Sequence, residues 1–394
     1  MDFWSTEEEA FRQEVHQFIQ KELPPGWRGF GTAEEYATEE GWAFAQQMAK
    51  KLGAKRWLAI DWPKEYGGLG ASYIKKVVYQ EEVNYHGVPG VDMGVSGTGI
   101  VGPVLMLFGS EEQKKEHLPK IAAGEEFWCQ GFSEPNAGSD LFAVQCRAIP
   151  KGNEYIISGQ KTWTSAAIRA DWCWLAARTN ADGPRHRGIS MFIIDMKSKG
   201  ITLRPLIHMT GHPDWCEVFF DEVHVPKSNM VGEENHGAKY ILATLDLERA
   251  GIAHIARCKR MVDELVKYAR ETKLNNGSLA SDPEVRQILA EMAIECEIGR
   301  LLSYRAIWIE AKGLNHPYEV SLAKNFWSEL GQRITQKGMQ ILGLYGQLSP
   351  ESKWAPLEGW IEYNYLYWTG MTLAGGTSEI NRNIIATVGL GLPR

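Results

Sequence analysis

Two short stretches hold residue types able to position a polar, planar group. Residues 130–140 read Gln-Gly-Phe-Ser-Glu-Pro-Asn-Ala-Gly-Ser-Asp, and residues 159–165 read Gly-Gln-Lys-Thr-Trp-Thr-Ser. The Pro and Gly of the first stretch cannot continue a helix and set a fixed loop. Its hydroxyls, Ser133 and Ser139, and its backbone amides can hydrogen-bond a ring edge or a phosphate. In the second, Trp163 stands beside Thr164 and Ser165, an aromatic face next to hydroxyls. Two polar loops and one Trp suit a flat, hydrogen-bonding cofactor such as a flavin. Ordinary surface loops fit the same composition.

Such groups need a framework, and 394 residues allow two or three domains with a large core. Hydrophobic residues make up 44% and charged residues 23%, as in an ordinary globular protein. Net charge is −7 with no long basic run, which argues against a nucleic-acid partner. The six Cys (129, 146, 173, 216, 258, 296) show no CxxC pair and no metal-ligand spacing. No metal is therefore expected, and the thiols suit a reducing cytoplasm. The acidic N-terminal stretch lacks a signal or transit pattern. No apolar run is long enough to cross a bilayer. Most of the fifteen Trp are expected in the core or at interfaces.

Periodicity divides the chain into three. Ser5 with Glu8 starts an amphipathic helix at 5–22, with Phe11, Val15, Phe18 and Ile19 on one face, and Pro24-Pro25 ends it. Further helices are predicted over 35–53, 72–87 and 96–121, the last interrupted after Gly109. Short apolar or alternating runs at 153–159, 172–177, 189–195 and 217–220 mark strands. Long helical patterns follow over 238–272, 282–311, 316–345 and 353–386. The reading is α+β and multidomain. An N-terminal helical domain spans 1–122, a middle β-barrel-like domain 123–232, and a C-terminal four-helix bundle 233–394.

On the stretches at 130–140 and 159–165, and on the Gly-Thr-Ser-Glu-Ile-Asn-Arg run at 376–382, the chain resembles the flavin-dependent acyl-CoA dehydrogenase family. The resemblance covers essentially the whole chain, with the motifs in order. It implies bound FAD, an acyl-CoA substrate and oxidation to the 2,3-enoyl-CoA. It also implies reoxidation by electron-transferring flavoprotein and a homotetramer, with no membrane partner. The reaction needs a base for the α-proton, stabilisation of the enolate-like charge, and an acceptor for the β-hydride, which flavin N5 supplies. By the resemblance, Gln130, Phe132, Ser133, Ser139, Trp163, Thr164 and Ser165 hold the flavin ring. Gln340 and Gly343 reach a neighbouring subunit's adenosine, and Thr377 and Glu379 lie near the phosphates. A helix N-cap is an equal reading of Thr377.

Departures from the family pattern narrow the choice. Many members carry the catalytic Glu where this chain has Gly375, followed by Gly376. Members such as isovaleryl-CoA dehydrogenase carry it on the first bundle helix, and Thr-Leu-Asp-Leu-Glu-Arg-Ala at 244–250 is similar to them. Glu248 is therefore the expected base, with Arg249 its neighbour and Ser139 also expected near the substrate. A surface Glu paired with Arg249 is the bland alternative. Asp92 resembles an acid that assists deprotonation in relatives acting on cyclic acyl groups, although such an Asp more often caps a helix. Thr272 falls where the family has a pyrophosphate-binding Arg, leaving Arg270, Lys273 or Arg286 as substitutes. Two glycines at 375–376 leave room for a branched, cyclic or aryl-bearing acyl group, as in the steroid and cyclic-acyl degradation branch. A subunit of a mixed heterotetramer lacking a complete flavin site, or a desulfinase-like relative, is the alternative.

Overall fold

The computed structural model describes residues 5–27, 29, 38–91, 95–248, 251–274, 277–312, 314 and 318–393. Among them lie eleven α-helices. They are α1 (Thr6–Glu22), α2 (Glu39–Ala54), α3 (Tyr73–Tyr85), α4 (Gly102–Phe108), α5 (Glu111–Ala123), α6 (Gly237–Glu248), α7 (Ile252–Glu271), α8 (Pro283–Ala311), α9 (Glu319–Leu342), α10 (Trp360–Met371) and α11 (Ser378–Ile384). The principal strands are β1 (Trp128–Gly131), β2 (Arg147–Lys151), β3 (Glu154–Ser165), β4 (Trp172–Arg178), β5 (Ile189–Asp195), β6 (Ile201–Leu206), β7 (Trp215–Pro226) and β8 (Met230–Val231). The chain forms two compact units. One comprises Met1–Phe30, Tyr73–Val88 and Arg249–Arg394, the other Gly31–Ser72 and Pro89–Glu248.

The β-containing unit is an eight-stranded sheet in the order β6-β7-β3-β2-β4-β5-β8, with β1 parallel to β4. Most pairings are antiparallel. Inward residues Ile157, Leu175, Phe192, Ile194 and Val218 fill one core. Trp128, Trp174, Met191 and Ile193 join Leu105, Leu118 and Ile241 in a second core against α4, α5 and α6. Capping explains where α5 begins. The Ser110 hydroxyl accepts from Gln113 N, and the Gln113 side chain returns to Ser110 N. The Gln113 amide also donates to the carbonyls of Ser228 and Met230, fixing α5 to the end of the sheet.

The helical unit buries Met261, Leu265, Met292, Leu330, Ile334 and Ile361 between α7, α8, α9 and α10. α1 carries the same capping box at Ser5 and Glu8 and buries Phe11, Val15 and Ile19, one per turn. It packs on α3, which is joined to α7 by Tyr85 Oη donating to Asp263 Oδ2 at 2.8 Å.

Two predicted helices are broken. The pattern over 238–272 divides into α6 and α7, with Gly251 at φ +73° starting the second. A Cβ there would lie 2.2 Å from Trp327 Cδ1, so only glycine allows this approach. The pattern over 353–386 divides into α10 and α11 around Gly375 and Gly376, both at positive φ. Apolar periodicity carries on across both breaks, and it registers neither backbone torsion nor close packing.

Candidate active site

The loop after β1 is fastened from beneath. Gly131 leaves room for Cys173 Sγ and Leu175 Cδ1, each 2.9 Å from where a Cβ would stand. Glu134 and Ala137 exchange backbone hydrogen bonds at 3.0 Å, closing a tight turn around Pro135 and Asn136. The Glu134 carboxylate points inward. Its Oε1 accepts from Lys161 Nζ at 2.7 Å and Cys146 N at 2.9 Å, and its Oε2 accepts from Gln145 N at 2.6 Å. Lys161 Nζ donates again to the Phe132 carbonyl at 3.0 Å. Thr162 N donates to the Ser133 carbonyl at 2.9 Å. Lys161 and Glu134 are both buried, so the low dielectric strengthens these bonds while making either partner costly alone.

The loop expected at 159–165 is instead the irregular end of β3. Pairing with β7 slips between Lys161 and Thr164, where Trp163 adopts φ +59°. The pattern of Thr, Trp and Thr is compatible with either a strand or a loop, and the bulge decides between them. A left-handed Trp is strained, and such strain concentrates at binding sites. The indole is 60% exposed and meets the Trp215 ring edge-on, with centroids 5.9 Å apart. Thr164 is buried, and its Oγ1 has no hydrogen-bond partner among the described residues. Ser165 is exposed and pairs with Trp215 in register. Beside it, His208 Nε2 lies 2.9 Å from Asp214 Oδ2, whose carboxyl burial holds above the ordinary range. An exposed indole, the exposed Ser165 and a fastened serine-bearing loop fit a planar ring with hydrogen-bonding edges.

In the helical unit, Gly375 (φ +65°) and Gly376 (φ +86°) form the turn before α11. Among the described residues the Gly375 N–H has no hydrogen-bond acceptor. Thr377 is the N-cap, its hydroxyl accepting from Ile380 N at 3.2 Å. Glu379 is exposed in the first turn. A backbone hydrogen bond, then the Thr377 hydroxyl, hold its carboxyl below the usual range. Lys324 is buried behind this turn. Its Nζ donates to the Met371 carbonyl at 3.2 Å, and its Cε lies 3.7 Å from where a Cβ at 375 would stand. Beyond it, His254 stacks on Trp327 at 3.8 Å, and burial pushes its pKa down to about 3. A polar cavity of about 360 Å³ opens between α9 and α11, lined by Glu329, Gln332, Arg333, Ser378, Glu379 and Arg382. The Ser378 hydroxyl is buried without a partner among the described residues.

The remaining predicted residues lie on several elements. Gln130 is half-buried on β1, Phe132 is buried, Ser133 is half-buried and Ser139 is exposed. Arg286 is exposed in the first turn of α8, and Gln340 and Gly343 are exposed at the end of α9. Glu248 is the last residue of α6. Its side chain lies outside the described residues, as do Arg249 and Asp92. Thr272 terminates α7, and Arg270 and Lys273 beside it are exposed. The sequence reading missed Lys161, Glu134 and Lys324. A Lys and a Glu 27 positions apart look like surface charges, and only the pairing of strand and loop turns them inward.

Comparison with known proteins gives three consecutive matches to one family. Residues 5–125 match "Acyl-CoA dehydrogenase, N-terminal domain", residues 129–223 the middle domain and residues 235–390 the C-terminal domain. The chain is 33% identical to acyl-CoA dehydrogenase FadE26 of Mycobacterium tuberculosis, over 99% of this chain and 98% of the relative. Among solved structures, the Tcur3481-Tcur3483 steroid ACAD superposes with a TM-score of 0.90 at 33% identity, covering 100% of both chains. The ChsE4-ChsE5 complex from Mycobacterium tuberculosis superposes at 0.89 with 32% identity, also covering 100% of both.

Proposed function

The chain belongs to the acyl-CoA dehydrogenase family of flavoprotein oxidoreductases acting on CH–CH donors, and we propose that it dehydrogenates the α,β-bond of a bulky acyl-CoA, cyclic and steroid-derived in kind. The observation that carries this reading is the strained, exposed Trp163 beside the exposed Ser165. FAD, when bound, supplies the two-electron acceptor that no side chain provides. Phe132, Ser133, Trp163, Thr164 and Ser165 would hold its ring, and the Lys161–Glu134 pair keeps the Ser133 loop in place. Gln130, Ser139, Arg286, Gln340, Gly343, Thr377 and Glu379 complete its binding. Glu248 removes the α-proton, and the N–H of Gly375 receives the thioester oxygen. Arg249, Asp92 and Gly376 border the acyl group. The steroid assignment draws on the likeness to the Tcur3481-Tcur3483 steroid ACAD and on the absent side chains at 375 and 376.

Electron-transferring flavoprotein reoxidises the enzyme in the cytoplasm. The assembly is a homotetramer, and a mixed tetramer with a second chain of the family is its competitor. Thr272 in place of the pyrophosphate Arg favours the competitor, and the similar ChsE4-ChsE5 structure is itself that of a complex. A visible spectrum of the protein expressed alone tests the reading. Near-stoichiometric flavin bands that bleach anaerobically on adding a cyclic acyl-CoA support it. A colourless protein that takes up no FAD contradicts it, and a native mass on the same sample separates the two assemblies.

A further inference from the structure

The N-terminal segment of the helical unit carries a second cluster of chemical groups, unrelated to the residues above. His16 lies on α1, Glu82 on α3, and His86 just past the end of α3. One donor atom from each falls within 4.8 Å of the others. Glu82 Oε2 stands 3.5 Å from His16 Nδ1 and 3.7 Å from His86 Nε2. These gaps are too long for the 2.7–3.2 Å hydrogen bonds that a carboxylate and an imidazole make when nothing lies between them. They are close to the spacing of two ligands on one tetrahedral ion. Zinc bonds of about 2.0–2.2 Å place neighbouring donors about 3.3–3.5 Å apart.

We infer that His16, Glu82 and His86 form a binding site for a divalent, zinc-like cation that joins α1 to α3. Residues around the three donors are arranged for that role. The Gln20 side-chain amide lies 2.9 Å from His16 Nε2. The near atom is the amide nitrogen; turning the amide over brings its oxygen to accept the Nε2 proton and leaves the Nδ1 lone pair facing Glu82. Glu82 and His86 are four positions apart, so one helical face presents both, and His86 N donates to Glu82 O at 3.1 Å. The other Glu82 oxygen, Oε1, faces Arg12 Nε at 3.6 Å. Arg12 in turn donates from Nη2 to Glu81 Oε2 at 3.2 Å, so its charge is shared with a second carboxylate. The three ligand side chains are 35%, 17% and 29% exposed, which gives an ion a path in from solvent and leaves its fourth position to water. Two imidazoles and one carboxylate suit zinc or cobalt, whereas magnesium and calcium take oxygen ligands. This site is independent of the dehydrogenase reading and neither needs nor supplies flavin chemistry.

The test uses the full-length protein, treated with chelator and titrated with Zn²⁺ by calorimetry and with Co²⁺ by visible absorption. The expected result is one ion per chain, tetrahedral Co²⁺ ligand-field bands, and a higher melting temperature with Zn²⁺. His16→Gln and His86→Gln should each abolish the Co²⁺ bands. Gln20→Ala should weaken affinity about 10–100-fold by releasing the orientation of His16. His224→Gln, at an exposed imidazole paired with Glu154, should change nothing. Circular dichroism checks that each variant is folded. Should His86→Gln fail that check, His16→Gln on the partly exposed face of α1 carries the test alone. Wild-type protein that binds no more Zn²⁺ than His16→Gln, or a folded His16→Gln that keeps the Co²⁺ bands, overturns the assignment. Glu82 would then be only the ion-pair partner of Arg12.

Discussion

The loop at 131–140 and the turn at 372–377 are both built from small, turn-forming residues, yet they are held in opposite ways. The first is over-determined. A buried lysine, a buried carboxylate and three backbone amides fix it to β3 and β2. The second has no buried ion pair among the described residues: besides two positive-φ glycines and the Thr377 cap, it is tied by Ser378 N donating to the Thr372 carbonyl and by the Asn381 amide donating to the carbonyls of Gly376 and Thr377. Among the described residues its N–H at 375 is unengaged, and the buried hydroxyl of Ser378 beside it has no partner. Rigid support suits a surface that holds a flat ring in one place. Unspent hydrogen-bonding capacity suits a surface that receives a group which comes and goes. Catalytic sites need both, because positioning is useful only where some polar groups remain available to the reactant.

The comparison breaks most readily at Lys161. Lys161→Met leaves Glu134 buried without its cation and should cost about 3–5 kcal/mol, read from urea unfolding. Flavin retention should fall with it. Lys161→Met combined with Glu134→Gln should cost less than the single change, since no charge is then left unpaired. If Lys161→Met unfolds like wild type, the loop is not held by the ion pair.

Trp163 probes the same region in the opposite direction. Trp163→Gly relieves a left-handed L-residue and should stabilise the protein by about 1 kcal/mol net of glycine's entropy. It should weaken FAD binding at the same time. A variant less stable than wild type would show that the indole serves packing rather than a ligand.

The turn should respond weakly at its cap. Thr377→Ala should cost about 1 kcal/mol by leaving the Ile380 N–H unsatisfied. Thermal unfolding gives the value, and a loss like that at Lys161 would erase the contrast between the two regions.

A further effect concerns acid. His254 titrates at about 3 when folded, against 6.5 for the unperturbed side chain. Between these values the unfolded chain binds the extra proton, so stability falls as pH drops below about 6.5 and levels off near 3. His254→Phe should remove that contribution and move the acid-unfolding midpoint to lower pH. A midpoint that stays in place means that other groups set it.

Much of the framework was legible because it rests on local chemistry. Ser5 with Glu8 marks the start of α1 to within a residue, and β4 and β5 fall where short apolar runs lie between turn formers. β6 was not legible: its Thr-Leu-Arg-Pro alternation is weak, and its partner β7 is what makes it a strand. The break at Gly251 depends on Trp327, 76 positions away, which no local pattern registers. The expectation that the loops at 130–140 and 159–165 hold a flavin came from motif resemblance, but what fastens the first loop was not legible, since Lys161 and Glu134 are ordinary surface types turned inward by tertiary pairing. His16 and the pair at Glu82 and His86 show no metal spacing for the same reason. Their proximity is created by the packing of α1 on α3.

The most direct test of the central claim is the turnover of Glu248→Gln on a cyclic acyl-CoA, with FAD content measured on the same sample. A positioned general base contributes about 10²–10⁴-fold. Turnover should fall by at least that much while flavin occupancy stays unchanged. Near-normal turnover in a fully loaded Glu248→Gln enzyme would contradict that claim and move the base elsewhere, with Asp92→Asn the next variant to measure.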